Sequence, residues 1–274
     1  MDRAKCEAAR PLGVPTTAAS RNGCRNERRT QMQNQITKPV LGLILGLSML
    51  FAFAAAPSMA AGKVPVNLRV VTYKGKVLFD DKVKTGTAKV KPNTACLGGK
   101  PGPARTLTGP TAFGALVDAA KRSSALRPLK ISDGDFGFGL CGFGSTLAKG
   151  VNWWAIKYQH KLSSTGGELT KPGKGSSVIW YLAEDYNVIG LPGELALKAP
   201  SKAKKGSTIR VRVLEYDDKG KKSPVEGASF DGVSGEPLTN AKGYARIKIT
   251  RKTRLRARST GLIPSNHVKI AIKK

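Results

Sequence analysis

The sequence predicts an α+β domain with one main helix, followed by an all-β sandwich. Between Cys96 and Tyr186, paired aromatic residues in β-branched surroundings alternate with glycine-rich turns, which is typical of the strands of a small sheet. A single segment of this region has the apolar periodicity of an amphipathic helix. From Leu191 onward, short β-like runs recur with turn residues between them, a spacing typical of β-sandwiches.

The N-terminal region is predicted to be a leader that is removed on export. Val40–Ala56 is an uncharged apolar run, and Ser58-Met59-Ala60 supplies the small residues that signal peptidase requires, so cleavage is expected after Ala60. An uncleaved anchor helix is the alternative, although about 17 residues is short for a membrane span. Translation from Met32 would give a conventional signal peptide, and Arg28-Arg29 leaves a twin-arginine signal open.

The expected organisation is a leader over residues 1–60, an α+β domain over 61–190 and a sandwich over 191–274. The helix is predicted to begin at Thr111, because Phe113, Leu116, Val117 and Ala120 recur at helical spacing, and to pack on one face of the sheet. The strands of the α+β domain are predicted at Val64–Thr72, Lys76–Val83, Thr87–Lys91, Leu129–Ser132, Phe136–Leu140, Asn152–Tyr158 and Val178–Leu182.

Two cysteines are predicted to form a disulfide. Lys91–Pro110 is dense in proline and glycine and is expected to be a loop, with Cys96 inside it. In an exported chain, Cys96 and Cys141 remain as an even pair in an oxidising compartment, whereas Cys6 and Cys24 belong to the leader. A bond that closes about 45 residues would contribute roughly 4 kcal/mol in the chain-entropy model. Free thiols are the alternative.

Several segments of the α+β domain resemble a known family. They are the first strand hairpin, the helix with Leu116-Val117-Asp118-Ala119, the strand from Trp153-Trp154 to Tyr158, and the strand Trp180-Tyr181 that runs into Glu184-Asp185-Tyr186. Over about Val64–Asn187 they resemble a secreted bacterial domain of unknown function, which is related to the C-terminal β-grasp domain of transcobalamin and intrinsic factor. The resemblance implies a β-grasp-like fold and, through that kinship, a small hydrophobic ligand such as a corrinoid. The family typically has Asn-Gly after the tryptophan strand, whereas this chain has Gln159-His160-Lys161, which leaves a ligand contact at that turn open.

The C-terminal region resembles a second group of modules. Pro224–Gly232 and Thr239–Ala245 are similar to segments of bacterial Ig-like and carboxypeptidase-regulatory-like domains, which implies a spacer or adhesion role. Strands are predicted at Leu195–Ala199, Thr208–Tyr216, Ala228–Val233, Tyr244–Thr250, Arg254–Ser259 and Val268–Ile272.

Aromatic residues are the candidates for contact with a small hydrophobic ligand. The set is Trp153, Trp154, Tyr158, Trp180 and Phe138, beside the glycine-rich segment 136–144 where a partner could approach the backbone. The alternative is that the tryptophans fill the core. Adjacent residues of a strand point to opposite faces, so one of Trp153 and Trp154 is expected in the core and the other is available.

No pattern of catalytic or metal-ligating residues stands out. His160 and His267 are the only histidines, and neither has a nucleophile or an orienting acid near it in sequence. Asp133-Gly134-Asp135 lacks the ligand series of a calcium loop and is predicted to be a turn. We therefore expect no enzyme activity, no metal and no cofactor.

The net charge of +29 indicates an anionic partner or environment. In Arg254–Arg258, strand alternation places Arg254, Arg256 and Arg258 on one face, and Arg246 and Lys248 repeat the arrangement one strand earlier. If the two strands are neighbours, these five residues form a continuous basic stripe for an anionic cell-wall polymer or acidic polysaccharide. The alternative is a solvated face, and the 6% aromatic content does not favour specific nucleic-acid binding. The expected function is a secreted, non-catalytic binding or adhesion module at the cell envelope, with a small-ligand carrier as the alternative.

Overall fold

The computed structural model describes residues 62–185, 187 and 190–273, and within them the protein is rich in β-strands, with one α-helix. The predictions for the leader and its cleavage site lie outside the described residues. All described residues belong to one compact unit. We call residues 62–185 the N-terminal module and residues 190–273 the C-terminal module, because each has a hydrophobic core of its own.

The N-terminal module contains ten strands, one α-helix and one short 3-10 helix among its described residues. In chain order they are β1 Val64–Val71, β2 Val77–Thr85, β3 Ala88–Val90, β4 Arg105–Leu107, α1 Ala112–Ala120, the 3-10 helix Ser124–Leu126, β5 Leu129–Gly134, β6 Gly137–Phe143, β7 Thr146–Leu147, β8 Trp153–Tyr158, β9 Lys161–Leu162 and β10 Ser177–Ala183. Strand β4 lies inside the predicted loop Lys91–Pro110 and pairs with β3, so that this loop is more ordered than its composition indicates.

The central sheet of the N-terminal module has the order β2-β1-β10-β8-β9. β1 and β10 are parallel, with Leu68 opposite Val178, while β2 and β8 run antiparallel to them on the two sides. The helix begins as predicted, because Thr111 Oγ1 accepts the backbone N–H of Gly114 at 2.8 Å and caps the first turn. It contacts β1, β2 and β3 and buries Phe113 and Leu116 completely against the sheet.

The disulfide prediction is confirmed: Cys96 and Cys141 are bonded, with their Cα atoms 5.7 Å apart. Cys141 lies in β6, and its partner Cys96 lies in the segment that precedes β4. The bond therefore attaches this segment to the small sheet formed by β5, β6 and β7.

The C-terminal module consists of two four-stranded sheets that share one hydrophobic core. Its strands are β11 Glu194–Lys198, β12 Lys202–Ala203, β13 Thr208–Tyr216, β14 Lys222–Pro224, β15 Ser229–Asp231, β16 Tyr244–Lys248, β17 Thr253–Arg258 and β18 Val268–Ile272. One sheet has the order β11-β13-β14, with β16 also paired to β13, and the other has the order β12-β18-β17-β15. The core contains Val211 and Ile247 from the first sheet and Leu255 and Ile270 from the second, so the sheets pack face to face.

The two modules touch along the face of the central sheet that lies opposite the helix. Val71, Ile179 and Tyr181 form a small apolar cluster there with Ile263 of the C-terminal module. An isolated bridge between Lys161 and Lys219 also joins the edge strand β9 to the C-terminal module. Among the described residues, no helix is both long and apolar enough to cross a bilayer.

Candidate anion-binding surface

Three of the predicted aromatic ligand contacts lie in the core. Trp154 is 5% exposed, Trp180 2% and Phe138 7%. The ring of Phe113 meets Phe138 and Trp180 edge-on, at centroid distances of 5.8 and 5.0 Å. This is the geometry that aromatic rings prefer inside proteins. The side chains of these three residues pack against the protein's own core and not at an accessible surface, so their contact with a ligand stays a prediction that this burial does not favour.

Trp153 and Tyr158 are half-buried. Trp153 points away from Trp154, as strand alternation predicts, and packs on the apolar cluster that includes Ile263. The C-terminal module thus covers the face on which an available indole was expected. Tyr158 packs on the main core, and its Oη lies 3.4 Å from Ser176 Oγ. Four surface recesses of 230, 510, 490 and 490 Å³ have walls made by other residues.

The arginines of β17 share one face, as predicted, but two of them are engaged within the protein. Arg256 is 2.7 Å from Asp80 of β2, so it forms an ion pair between the modules. Arg258 binds Asp231 at 2.5 Å and also donates to the carbonyl oxygen of Gly75. Arg254 remains largely exposed, with Asp81 3.8 Å away. This face is therefore turned towards the N-terminal module and contributes to the contact between the modules.

The predicted stripe is wrong in one respect, because β16 and β17 belong to different sheets. Arg246 and Lys248 lie on β16, which pairs with β13, whereas β17 pairs with β15 and β18. In a sandwich, consecutive strands often cross from one sheet to the other, and strand alternation carries no information about that crossing. The five predicted cations therefore do not form one continuous row.

A different basic surface is present on the outer side of the sheet that contains β13 and β16. Arg210 lies directly opposite Arg246, and Arg212 lies between Tyr244 on one side and Lys198 of β11 on the other. Lys248 continues the row beside Thr208. We call Lys198, Arg210, Arg212, Arg246 and Lys248, with Tyr244 among them, the basic face. Its sequence signal was available, since Arg210 and Arg212 alternate with the apolar residues Ile209, Val211 and Val213, which are buried.

The charges of the basic face are not compensated by acidic partners. None of the ion pairs among the described residues involves a side chain of this face. Like charges directly opposite in an antiparallel pair are destabilising. Tyr244 relieves part of this repulsion, because the guanidinium carbons of Arg210 and Arg212 lie 3.6 and 5.0 Å from its ring centroid. The Nε of Arg212 is buried and has no hydrogen-bond partner among the described residues.

A buried ionic cluster fixes the contact between the modules. Glu194, the first residue of β11, is fully buried, and its Oε1 accepts from Arg69 of β1 at 2.9 Å and contacts His160 Nδ1 at 3.0 Å. Arg69 also donates to the backbone carbonyls of Leu195 and Pro264. The cationic side chain of Lys157 is buried nearby and pairs with Asp218 at 3.0 Å. These contacts all join β1 or β8 and its turn to the C-terminal module.

The cluster keeps the Glu194 carboxylate ionised. Burial alone would raise the pKa of Glu194, but the hydrogen bond from His160 and the positive charges of Arg69, His160 and Lys157 outweigh it, and the pKa is lowered. Sequence reasoning missed this cluster, because a charged residue in a strand is ordinarily assigned to the solvent side.

The turn after β8 is strained, and the other module holds it in place. Gln159 and His160 have φ values of 50° and 67°, in the left-handed region where Asn-Gly is the usual pair for a two-residue hairpin turn. The ring of His160 stacks on Tyr216 of β13 at 4.0 Å while Nδ1 contacts Glu194. Because the turn is Gln159-His160 and not Asn-Gly, it carries the His160 side chain, which contacts the C-terminal module.

The second histidine, His267, also contacts a carboxylate. Neither of its ring nitrogens lies within hydrogen-bond distance of a described serine, threonine or cysteine side chain. His267 Nδ1 lies 2.9 Å from Asp80, and its Nε2 lies 3.2 Å from a terminal nitrogen of Arg254. Among the described residues, no group of three or more His, Cys, Asp or Glu side chains is placed to hold a metal ion.

No protein-family model matches the chain, and no curated protein or solved structure matches it either. Function is therefore inferred from the geometry of the chain's own residues.

Proposed function

We propose that this protein is a secreted, non-catalytic binding module that is retained at the cell envelope by an anionic polymer on its basic face. The polymer class is an anionic wall polymer or an acidic polysaccharide. Export is expected from the apolar run and the cleavage motif of the leader, and the disulfide is compatible with an extracellular site.

The observation that carries the proposal is the direct opposition of Arg210 and Arg246, neither of which forms an ion pair with a described carboxylate. Such a pair costs free energy in the isolated protein, and a bound polyanion would remove that cost. Residues on one side of a strand repeat about every 6.8 Å, so Arg210 with Arg212, and Arg246 with Lys248, present two parallel rows of cations. Guanidinium groups suit this task, because each offers two parallel N–H donors to a phosphate or carboxylate.

The wider charge distribution favours the same role. From Leu191 onward the chain has 20 Lys and Arg against 7 Asp and Glu, a difference of 13 charges. Exposed contacts are individually weak and are screened beyond about 8 Å at physiological salt. Retention would therefore depend on several simultaneous contacts and would decrease as the ionic strength rises.

We also propose the finer fold assignments, a β-grasp-like N-terminal module and an Ig-like C-terminal module. The order β2-β1-β10-β8, with a parallel central pair and one helix packed on the sheet, supports the first. Two face-to-face sheets support the second. In this assignment the N-terminal module is the part presented at the envelope, while the C-terminal module carries the attachment surface. The alternative of a carrier for a small hydrophobic ligand gains no support from the burial of Trp154, Trp180 and Phe138.

The test is to measure the affinity of the exported protein for poly(glycerol phosphate), polygalacturonate and neutral dextran. We expect binding to the anionic polymers alone. Replacing Arg210, Arg246 and Lys248 by Gln removes three exposed contacts and should weaken binding about 3- to 100-fold. The matched control replaces Lys84, Lys89 and Lys174 by Gln, three exposed cations of the N-terminal module, and changes the net charge equally. Equal losses of affinity in the two variants would show that only the net charge matters. Binding to dextran as tightly as to the anionic polymers would exclude an electrostatic site.

A further inference from the structure

Two adjoining recesses meet at Arg254, on the opposite sheet of the C-terminal module from the basic face. One is a recess of 230 Å³ between the modules, whose wall includes Val77, Leu78 and Phe79 of β2 together with Arg254 and His267. The other is an open cleft of 490 Å³ lined by Lys252, Thr253, Arg254 and Lys269. Arg254 belongs to both walls, so a ligand in one recess can extend into the other.

The cleft has an excess of positive charge. Lys252, Arg254 and Lys269 are all exposed, and Arg254 lies directly opposite Lys269 in the β17–β18 pair. Asp81 is the one described carboxylate within ion-pair distance of these cations, 3.8 Å from Arg254 and 3.5 Å from Lys269. Three cations against one carboxylate leave two positive charges for an oxyanion.

The acidic groups of the adjoining recess are already neutralised. Asp80 accepts from Arg256 at 2.7 Å and from the backbone N–H of His267 at 2.8 Å, and its Oδ2 lies 2.9 Å from His267 Nδ1. Asp231 is paired with Arg258. Neither carboxylate is therefore free to repel an anion that approaches Arg254.

His267 positions the guanidinium group of Arg254. Arginine only donates hydrogen bonds, so the 3.2 Å contact between Arg254 and His267 Nε2 requires that ring nitrogen to accept. The other ring nitrogen, Nδ1, then carries the N–H and donates a hydrogen bond to Asp80. The held terminal nitrogen donates only one of its two N–H bonds to His267, so its second N–H and an N–H of a neighbouring guanidinium nitrogen are left to bind an oxyanion with two donors.

Part of the wall of the recess is apolar, and the space is small. Val77, Leu78 and Phe79 are half-buried and line the recess beside Asp80, Asp231, Arg254, Arg256 and His267. Leu78 and Phe79 also pack on the main core, whereas Val77 packs on the apolar cluster between the modules. The recess is smaller than the roughly 300–1,000 Å³ of a site for a drug-sized ligand. A ligand that uses both recesses has an oxyanion head for the cleft and a short apolar body of about one ring for the recess.

We propose that these recesses together bind a small amphiphilic oxyanion, an aryl or short alkyl phosphate or carboxylate. The oxyanion lies between Arg254 and Lys269, and the apolar body lies in the recess against Val77. The site is distinct from the basic face and does not depend on polymer binding.

The test is calorimetric titration of the exported protein with phenyl phosphate and, separately, with inorganic phosphate. We expect one phenyl phosphate per chain and an affinity for inorganic phosphate at least about tenfold lower, because the bare ion makes no contact with the apolar wall. Arg254→Gln should weaken phenyl phosphate binding about tenfold or more. Arg254→Lys keeps the charge but loses the paired donors, and it should give an intermediate loss.

Arg127→Gln is the matched control, because it removes one exposed arginine that belongs to neither proposed site, and it should bind phenyl phosphate as the unmodified protein does. Equal affinities for the two phosphates would overturn the proposal, since the apolar wall would then contribute nothing. Equal losses of affinity in Arg254→Gln and Arg127→Gln would overturn it as a general charge effect, and absence of phenyl phosphate binding at millimolar concentration would also overturn it. Replacing Arg210, Arg246 and Lys248 by Gln tests polymer retention and should leave this binding unchanged, so the two proposals fail independently.

Discussion

Glu194→Gln should uncouple the two modules, because it removes the charge at the centre of the buried cluster. Arg69 is 4% exposed and would be left with an uncompensated guanidinium, while His160 would lose its ionised partner. Breaking a buried ion pair by removing one partner costs about 3–5 kcal/mol. That is a large part of the free energy of unfolding of a typical domain, which is roughly 5–15 kcal/mol.

The assay is urea unfolding, followed by tryptophan fluorescence and by far-UV circular dichroism. All three tryptophans lie in the N-terminal module, so fluorescence reports on that module while circular dichroism reports on both. We expect the two signals to coincide for the unmodified protein and to separate in the variant. Glu226→Gln is the matched control, since Glu226 is exposed and should change the free energy of unfolding by less than about 0.5 kcal/mol.

The same variant predicts a change in the pH dependence of stability. The pKa of Glu194 is lower in the folded protein than in the unfolded chain, so its contribution is complete above the unfolded value of about 4.3. The contribution is lost as the pH falls from there through the folded pKa. The variant should lack this part of the acid sensitivity. A loss no larger than that of Glu226→Gln, with coincident transitions, would refute the role of the cluster.

Two further changes test the core and the crosslink. Gly167→Ala should lower the free energy of unfolding by about 1–3 kcal/mol through overpacking, because a Cβ there would lie 2.6 Å from Phe113 and 2.7 Å from Trp180. A Cβ at Gly166 would meet nothing within 4 Å, so Gly166→Ala should lower it far less. Thermal unfolding measures both variants, and equal destabilisation would contradict the packing. Reduction of the Cys96–Cys141 bond should speed amide hydrogen exchange in residues 91–110 more than in the central sheet, and uniform acceleration would contradict a local role for the bond.

Local signals in the sequence were sufficient for many elements. The bounds of β13 and β18 agree with the predicted strands, because both segments are rich in Val and Ile and because polar and apolar residues alternate over Thr208–Val213. The helix was predicted from Thr111 because its cap and its apolar spacing are both local. The separation of Trp153 from Trp154 also follows from strand alternation alone.

Features that depend on contacts between distant parts of the chain could not be predicted from the sequence. Glu194 and Arg69 are 125 residues apart, and nothing near either residue indicates that its charge is buried. The basic stripe was assembled wrongly because β16 and β17 are adjacent in sequence but lie in different sheets. The tryptophans were ambiguous for the same reason, since Trp153 packs on a cluster that includes Ile263 of the other module.

The most direct test of attachment through the basic face is a salt wash of isolated cell wall carrying the bound protein. The unmodified protein and the variant with Lys84, Lys89 and Lys174 replaced by Gln should be released at similar ionic strength. The variant with Arg210, Arg246 and Lys248 replaced by Gln should be released at clearly lower ionic strength, because exposed ionic contacts are screened by salt and it has fewer of them. Release of both variants at the same ionic strength, or retention of all three proteins at every salt concentration, would contradict attachment through this face.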